Sequence, residues 1–315
     1  MVNTYIDSND SHSRESGRNA GRMPVWIRQQ LGMGQSFGKT LHAIQSNQLN
    51  TVCEEACCPN RGECWSAGTA TIMLLGDTCT RACGFCSVKT GRPSDVDASE
   101  PERVARAVAA MGLRYVVLTS VNRDDLPDGG AGIFTQTLRR LREQDSTIGI
   151  EFLTPDFHRC QSQAINGVMR VLASDTVPGI RLVWGHNMET VPRLYRRARK
   201  AADYSRSLGL LETVAALPRI EAKSALMLGL GETRDEIMTA LRDLRNAGVQ
   251  RIALGQYLRP SLKQLPVTDY IHPSIFLDYE QEARRMGFTW VKAGPMVRSS
   301  YHAEQPGHQK NLSTE

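Results

Sequence analysis

Residues 71–88 read TIMLLGDTCTRACGFCSV, an apolar run followed by a Gly-Asp turn and three cysteines, Cys79, Cys83 and Cys86, spaced C-x3-C-x2-C. The run at 72–75 is short and bounded by turn residues, as a buried strand is. A ligand loop directly after it has the position of a loop at the C-terminal end of a barrel's first strand. The number of thiolates is the informative feature. A structural zinc site closes with four ligands, whereas three thiolates on a four-iron cubane leave one iron open to a substrate or cofactor. A zinc knuckle is the competing reading, and it lacks a fourth ligand at suitable spacing.

Beyond Ser99, apolar strands alternate with amphipathic helices, the pattern of parallel βα units. Ser99 and Glu102 form a capping-box signature, Val104, Ala107, Val108 and Met111 follow at helical spacing, and Gly112 closes the helix. Further strands are predicted at 115–119, 148–153, 181–184, 224–228, 251–254 and 289–291. Helices are predicted near 131–144, 192–208, 234–247 and 275–286, and Thr233 with Glu236 makes a second capping box. The count is about six βα units, short of the eight of a complete barrel. The expected fold is therefore α/β, a partial (β/α)6 TIM-like barrel over 69–292, flanked by N- and C-terminal extensions at 23–68 and 293–315. Residues 1–22 are polar, with no apolar core, and are expected to form a disordered arm.

Upstream, residues 52–65 read VCEEACCPNRGECW and space Cys53, Cys58 and Cys64 as C-x4-C-x5-C. Again three thiolates lie in a compact loop, and a zinc-stabilised loop is again the alternative. Cys57, beside Cys58, allows a second register of C-x3-C from Cys53. Cys160 has no spaced partner and reads as an ordinary buried thiol. With no secretory signal, the eight cysteines are expected in a reducing cytoplasm, where metal ligation is a better default than disulfides.

The first motif, with aromatic Phe85 before its third cysteine, resembles the signature of the radical S-adenosylmethionine (SAM) superfamily. The second, with Glu54, Glu55, Pro59, Asn60, Gly62, Glu63 and Trp65 around it, is similar to the auxiliary-cluster motif of the lipoyl synthase family. RDDLPDGGA at 123–131, HNMETVPRLY at 186–195, LMLGLGET at 226–233, GQYLRPS at 255–261 and GPMVRSSYHA at 294–303 carry the likeness over about residues 24–304.

The resemblance implies two [4Fe–4S] clusters. One, on Cys79, Cys83 and Cys86, would bind SAM at its open iron and cleave it to methionine and a 5′-deoxyadenosyl radical. The other, on Cys53, Cys58 and Cys64 with the oxygen of Ser300, would surrender sulfur. A serine oxygen is a harder and less usual iron ligand than thiolate, which makes that corner easier to displace. The implied reaction inserts two sulfur atoms at C6 and C8 of a protein-bound octanoyl chain, giving lipoyl. An alkyl C–H offers nothing to general acid–base residues, so the cofactor has to carry the hard step. Phe85, Gly229 and Gly231 are the implied cofactor contacts. The implied partners are octanoylated lipoyl carrier domains, namely 2-oxoacid dehydrogenase E2 subunits and the glycine cleavage H protein, with an electron donor and an iron–sulfur carrier. Another radical SAM sulfur inserter or maturase with an auxiliary cluster is the alternative enzyme.

Several features also have plainer readings. Gly229 and Gly231 do not complete G-x-G-x-x-G and suit a tight strand exit. Asp124, Asp125 and Asp128, near Pro127 and Gly129, read as turn formers. His186 and Asn187 after a strand are either structural or pocket-lining. Asn122, Ala225 and Trp184–Gly185 depart from the family pattern. The net charge of +5 describes solubility more than a ligand. The basic stretch Arg193, Arg196, Arg197, Arg199 and Lys200 is a solvated helix face or a docking patch for an acidic protein. It lacks the interleaved aromatics of a nucleic-acid platform, and no uncharged run approaches the roughly 20 residues of a membrane helix. Neither nucleic acid nor membrane is an expected partner.

Overall fold

The computed structural model describes residues 24–27, 35–56, 58, 60–66, 70–174 and 182–305. The predicted arm at 1–22, Cys57, position 181 and the tail from 306 lie outside the described residues.

Helix α1 (Gln35–Ser46), a short strand β1 (Asn50–Thr51) and helices α2 (Val52–Glu55) and α3 (Arg61–Ser66) come first. Then β2 (Thr71–Leu74) leads into a small two-stranded excursion of β3 (Thr78–Cys79) and β4 (Lys89–Thr90) that contains the first cysteine motif. The repeat continues as α4 (Glu100–Met111), β5 (Tyr115–Ser120), α5 (Ala131–Gln144), β6 (Gly149–Leu153), α6 (Gln161–Ser174) and β7 (Leu182–Gly185). It ends with α7 (Tyr195–Ala198), α8 (Tyr204–Ala215), β8 (Ile220–Leu228), α9 (Arg234–Asn246), β9 (Arg251–Gln256), α10 (Pro273–Arg285) and β10 (Trp290–Gly294).

Among the described residues, one eight-stranded sheet runs β1-β2-β5-β6-β7-β8-β9-β10, with β1 antiparallel and the rest parallel. Six βα units and a seventh parallel strand thus form an α/β partial barrel, and β1 and β10 are its two edges. Side chains alternate between the faces of each strand. Ile72, Leu74, Leu118, Phe152, Trp184, Leu226 and Leu254 point outward and join the helices in one apolar cluster. Register puts Thr71, Val117, Glu151 and Lys223 on the opposite, inner face. There Lys223 Nζ lies 2.8 Å from each oxygen of Glu151, and Tyr115 donates its hydroxyl to Glu151 at 3.0 Å. Lys223 also stands 4.6 Å above the Trp290 ring. Burial pulls the Lys223 pKa down and Glu151 opposes this. Removing one member of such a pair costs roughly 3–5 kcal/mol, because the other is left buried and uncompensated.

Most predicted elements form. Helix α5 has the predicted bounds, the Thr233–Glu236 capping box closes in both directions, and Gly112 ends α4 at φ 65°. The Ser99 box does not form. Ser99 has helical backbone angles and donates its hydroxyl to Asp97 at 2.7 Å, a local side-chain bond that competes with capping. The predicted helix at 192–208 divides into a 3-10 turn at Pro192–Leu194, α7 and α8, because Ala201 takes φ 65° and Asp203 caps a new helix through the Arg206 N–H. Helix α6 occupies a stretch where no element was expected, burying Ala164, Ile165, Val168, Val171 and Leu172.

Candidate metal centres

Cys79 ends β3, and Cys83 and Cys86 follow in the loop before β4. The Cys79 sulfur accepts the backbone N–H groups of Arg81 at 3.4 Å and Asn122 at 3.3 Å, which fix its position in the loop. Burial and the neighbouring thiols push the Cys83 thiol up to about 12 and the Cys86 thiol to about 11. The loop is held by two segments: Gly84 donates its N–H to Ala198 O at 2.8 Å and accepts from Leu265 N at 2.8 Å. A Cβ at Gly84 would lie 2.9 Å from Arg197 O, so glycine is what allows the approach.

Arg81 lies between the first two cysteines. It donates Nε and a terminal nitrogen to Asp124, each at 2.7 Å, and stands 2.8 Å from Asp156 Oδ1. The other Asp156 oxygen pairs with Arg206 of α8 at 2.8 Å. These two cations outweigh burial and hold the Asp156 carboxyl well below the usual carboxylate range. Asp124 therefore anchors the cysteine loop instead of merely forming a turn, and Asp125 likewise pairs with Arg123. Asp128 does form the turn, accepting the N–H groups of Gly130 and Gly132.

In the segment after β7, Asn187 Oδ1 is buried with no hydrogen-bond partner among the described residues. Asn187 Nδ2 donates to Glu189 at 3.1 Å, and the field of Glu189 reaches Cys83 and Cys86. Burial raises the Glu189 carboxyl while Arg199 lowers it. An orphaned amide oxygen next to a carboxylate whose field reaches Cys83 and Cys86 suits a ligand rich in ammonium and hydroxyl donors, as SAM is. The sequence gives the HNME segment but no sign of a role for Glu189, none for Arg81, Asp156 or Arg206, and it places Arg199 on a solvated or docking face, whereas Arg199 turns inward to Asn187 O and the Tyr195 hydroxyl. His186 is structural, its ring nitrogens 2.8 Å from Thr154 O and 3.0 Å from Ser207 Oγ. Phe85 packs half-buried against the core. Gly229, at φ 101°, leaves no room for a Cβ, which would stand 2.3 Å from Asp269 O. The Gly229–Gly231 turn is thus the tight strand exit, capped by the Glu232 carboxylate on the N–H groups of Gly229 and Leu230.

The second motif lies beside the open edge of the barrel. Thr51 caps α2 through the Glu54 N–H and so orients Cys53, while Cys64 sits in α3. Cys53, Cys58 and Cys64 line one cavity together with Thr71, Arg298 and Ser300. Ser300 arrives by long-range contacts: Thr71 Oγ1 donates to its hydroxyl at 3.0 Å, Asn60 Nδ2 to Met296 O at 2.6 Å, and Tyr301 OH to Glu63 at 2.9 Å. Burial, then Cys53 and Cys58, push the Cys64 thiol up to about 12. The half-buried Arg298 guanidinium donates to Val297 O at 2.7 Å, and desolvation lowers its pKa while Cys58 opposes this. Cys160 is a buried thiol with its sulfur toward Phe157 O at 3.5 Å. Among the described residues, no three His, Cys, Asp or Glu side chains converge as a single metal ion would need. Cubane ligands each take a different iron and so stand further apart.

Fold and first motif together define a radical SAM enzyme: residues 73–244 match the Radical SAM superfamily model. The fold is shared with Streptococcus suis SuiB bound to precursor peptide SuiA (TM-score 0.53, 11% identity, 82% of this chain and 52% of that one). It is shared also with methylornithine synthase, PylB (TM-score 0.51, 11% identity, 90% and 85%). Sequence narrows the class. The lipoyl synthase of Burkholderia pseudomallei (strain 668) is 50% identical over 289 residues, covering 91% of this chain and 85% of that one. That of Chromobacterium violaceum is 48% identical over 292 residues, covering 92% and 90%. The chain belongs to the lipoyl synthase family of radical SAM enzymes. With that membership come lipoyl synthase function, a radical SAM sulfurtransferase reaction, SAM and a SAM-binding [4Fe–4S] cluster. No helix among the described residues is long and apolar enough to cross a membrane.

Proposed function

We propose that Cys79, Cys83 and Cys86 hold the SAM-binding cluster, and that Cys53, Cys58 and Cys64 with Ser300 hold an auxiliary [4Fe–4S] cluster consumed as the sulfur source. The substrate is the octanoyl-lysine of a lipoyl carrier domain. The observation that carries this reading is the shared cavity of Cys53, Cys58, Cys64 and Ser300, residues the chain separates widely. When bound, the clusters and SAM supply the hydrogen-abstracting radical and the sulfur inserted at C6 and C8. The protein's own part is positioning. Arg81, clamped by Asp124 and Asp156, fixes the first loop, and Asn187, Glu189 and the Gly229–Gly231 turn hold SAM, with Phe85 packing behind the loop. Thr71 and Asn60 bring Ser300 to the second site.

Consumption of a cluster requires an iron–sulfur carrier to rebuild it, and SAM cleavage requires an electron donor. The E2 subunits of 2-oxoacid dehydrogenases and the glycine cleavage H protein are the carriers proposed. We assign the chain to the cytoplasm, where the seven described cysteines, none of them in a disulfide, would stay reduced and six of them available to the clusters. The test is anaerobic reaction of the reconstituted protein with an octanoylated carrier, followed by mass spectrometry. Two added sulfurs and about eight irons per chain, as two cubanes require, are expected. SAM cleavage that leaves the octanoyl carrier unchanged would favour a sulfur inserter acting on another substrate.

A further inference from the structure

The basic stretch at 193–200 divides by environment. Arg193 pairs with Glu236, and Arg199 turns inward to Asn187 O and the Tyr195 hydroxyl, each at 2.7 Å. Arg196, Arg197 and Lys200 remain exposed, with no charged or hydrogen-bonded side-chain partner among the described residues. They border the first cysteine loop, because Gly84 is bonded to Ala198, and the would-be Cβ of Gly84 meets Arg197 O.

Beside it lies a second rim segment, bonded to Gly84 through Leu265, whose side chain meets the same would-be Gly84 Cβ, and to Cys86 O through Gln264 Nε2 at 3.2 Å. It is braced from within. Arg259 donates to Gln264 O at 2.8 Å and Leu262 O at 2.6 Å, and Ser261 Oγ to Gln264 Oε1 at 2.7 Å. Its tip presents Leu262, 86% exposed, beside the exposed Lys263, whose side chain likewise has no partner among the described residues. A single exposed leucine is ordinary. One held on a braced loop that is tied to a candidate ligand cysteine and adjoins the segment of unpaired cations is an ordered contact surface, with little entropy left to lose on binding.

We propose that this rim of the cysteine loop, Arg196, Arg197 and Lys200 together with the adjoining segment that bears Leu262 and Lys263, is where the octanoylated carrier docks. The carrier's docking face then presents carboxylates around the modified lysine and an apolar spot for Leu262. The inference rests on the sulfur-insertion reading above: an acyl-lysine arm has to reach the cysteine loop at the C-terminal end of β2, so the domain that bears it sits on the rim around that loop. Cations flanking an apolar contact steer such a partner and set its orientation.

The experiment compares the wild type with Arg196→Glu/Arg197→Glu and with Leu262→Ser. It reads direct binding of an octanoylated carrier domain by calorimetry and turnover of that domain, with a short octanoyl-lysine peptide as control. The charge-reversed variant is expected to raise Kd and KM for the carrier on the order of tenfold. Its kcat, peptide turnover and SAM cleavage should stay unchanged, and carrier binding should lose its salt dependence. Replacing carboxylates near the carrier's lysine by lysines should restore binding to this variant. A carrier Kd within twofold of wild type, or equal losses on peptide and carrier, would overturn the docking site. Binding is read without turnover, so a wild type that binds the carrier yet modifies neither substrate would instead sink the sulfur-insertion reading.

Discussion

Thr71 Oγ1 donates a hydrogen bond to Ser300 Oγ at 3.0 Å across 229 residues of chain, joining the first residue of β2 to the segment beyond β10. Since β1 and β10 are the two edges of the sheet, this bond spans the side on which the barrel is open. A serine oxygen is thereby held at a cavity that already carries three thiols.

Ser300→Ala should therefore leave SAM cleavage intact while lowering lipoyl product by roughly 10- to 100-fold, the scale of effect for groups supporting a metal site. Thr71→Val should act in the same direction and more weakly. Product quantification by mass spectrometry, beside a 5′-deoxyadenosine assay on the same samples, checks both.

The two cysteine sets are separable. Cys79→Ala is expected to abolish SAM cleavage, whereas Cys58→Ala should retain measurable cleavage and yield no product. Iron content should fall in each from about eight toward about four per chain. Loss of cleavage in the Cys58 variant alone would exchange the two assignments.

Asp156 is fully buried between Arg81 and Arg206. Asp156→Asn leaves two cations without their shared carboxylate, at a cost of roughly 3–5 kcal/mol. The expected result is a lower Tm with slower SAM cleavage, because the cysteine loop loses the clamp on Arg81. Arg206→Lys, which keeps the charge, should recover most of what Arg206→Ala loses.

His186 sets an acid limit on stability. Burial lowers its pKa from 6.5 to about 3 in the folded chain. Its folded pKa lies below its unfolded one, so the unfolded state binds more protons between these values. The stability from the neutral imidazole is complete above about pH 6.5 and is lost as pH falls toward about 3, by up to about 1.4 kcal/mol per pH unit. Urea midpoints across this range should fall more steeply for the wild type than for His186→Gln.

How much was legible in the sequence varied with the range of the interaction. Helices α5 and α9 were readable because apolar periodicity and local caps define them, and Gly112 because a left-handed helix end favours glycine. Helix α6 went unread, and Ser99 misled because Asp97, two residues away, took its hydroxyl. Both cysteine motifs were visible as spacing. The partners that fix them, Asp124 and Asp156 on Arg81 and Thr71 on Ser300, were not, since no local rule pairs residues 43 or 229 positions apart.

The sequence by itself determined the chemistry: two sets of three thiolates in short loops, a βα repeat six units long and the lipoyl synthase family likeness, all set by short-range spacing and residue type. The family likeness already set Ser300 with the second cysteines, but only the tertiary structure decided how Thr71 holds it at their cavity, that the charge of Glu189 reaches the other loop, and that the unpaired cations and the Leu262 segment adjoin at its rim. Burial and sheet register bring these groups together, and both depend on the whole chain packing at once.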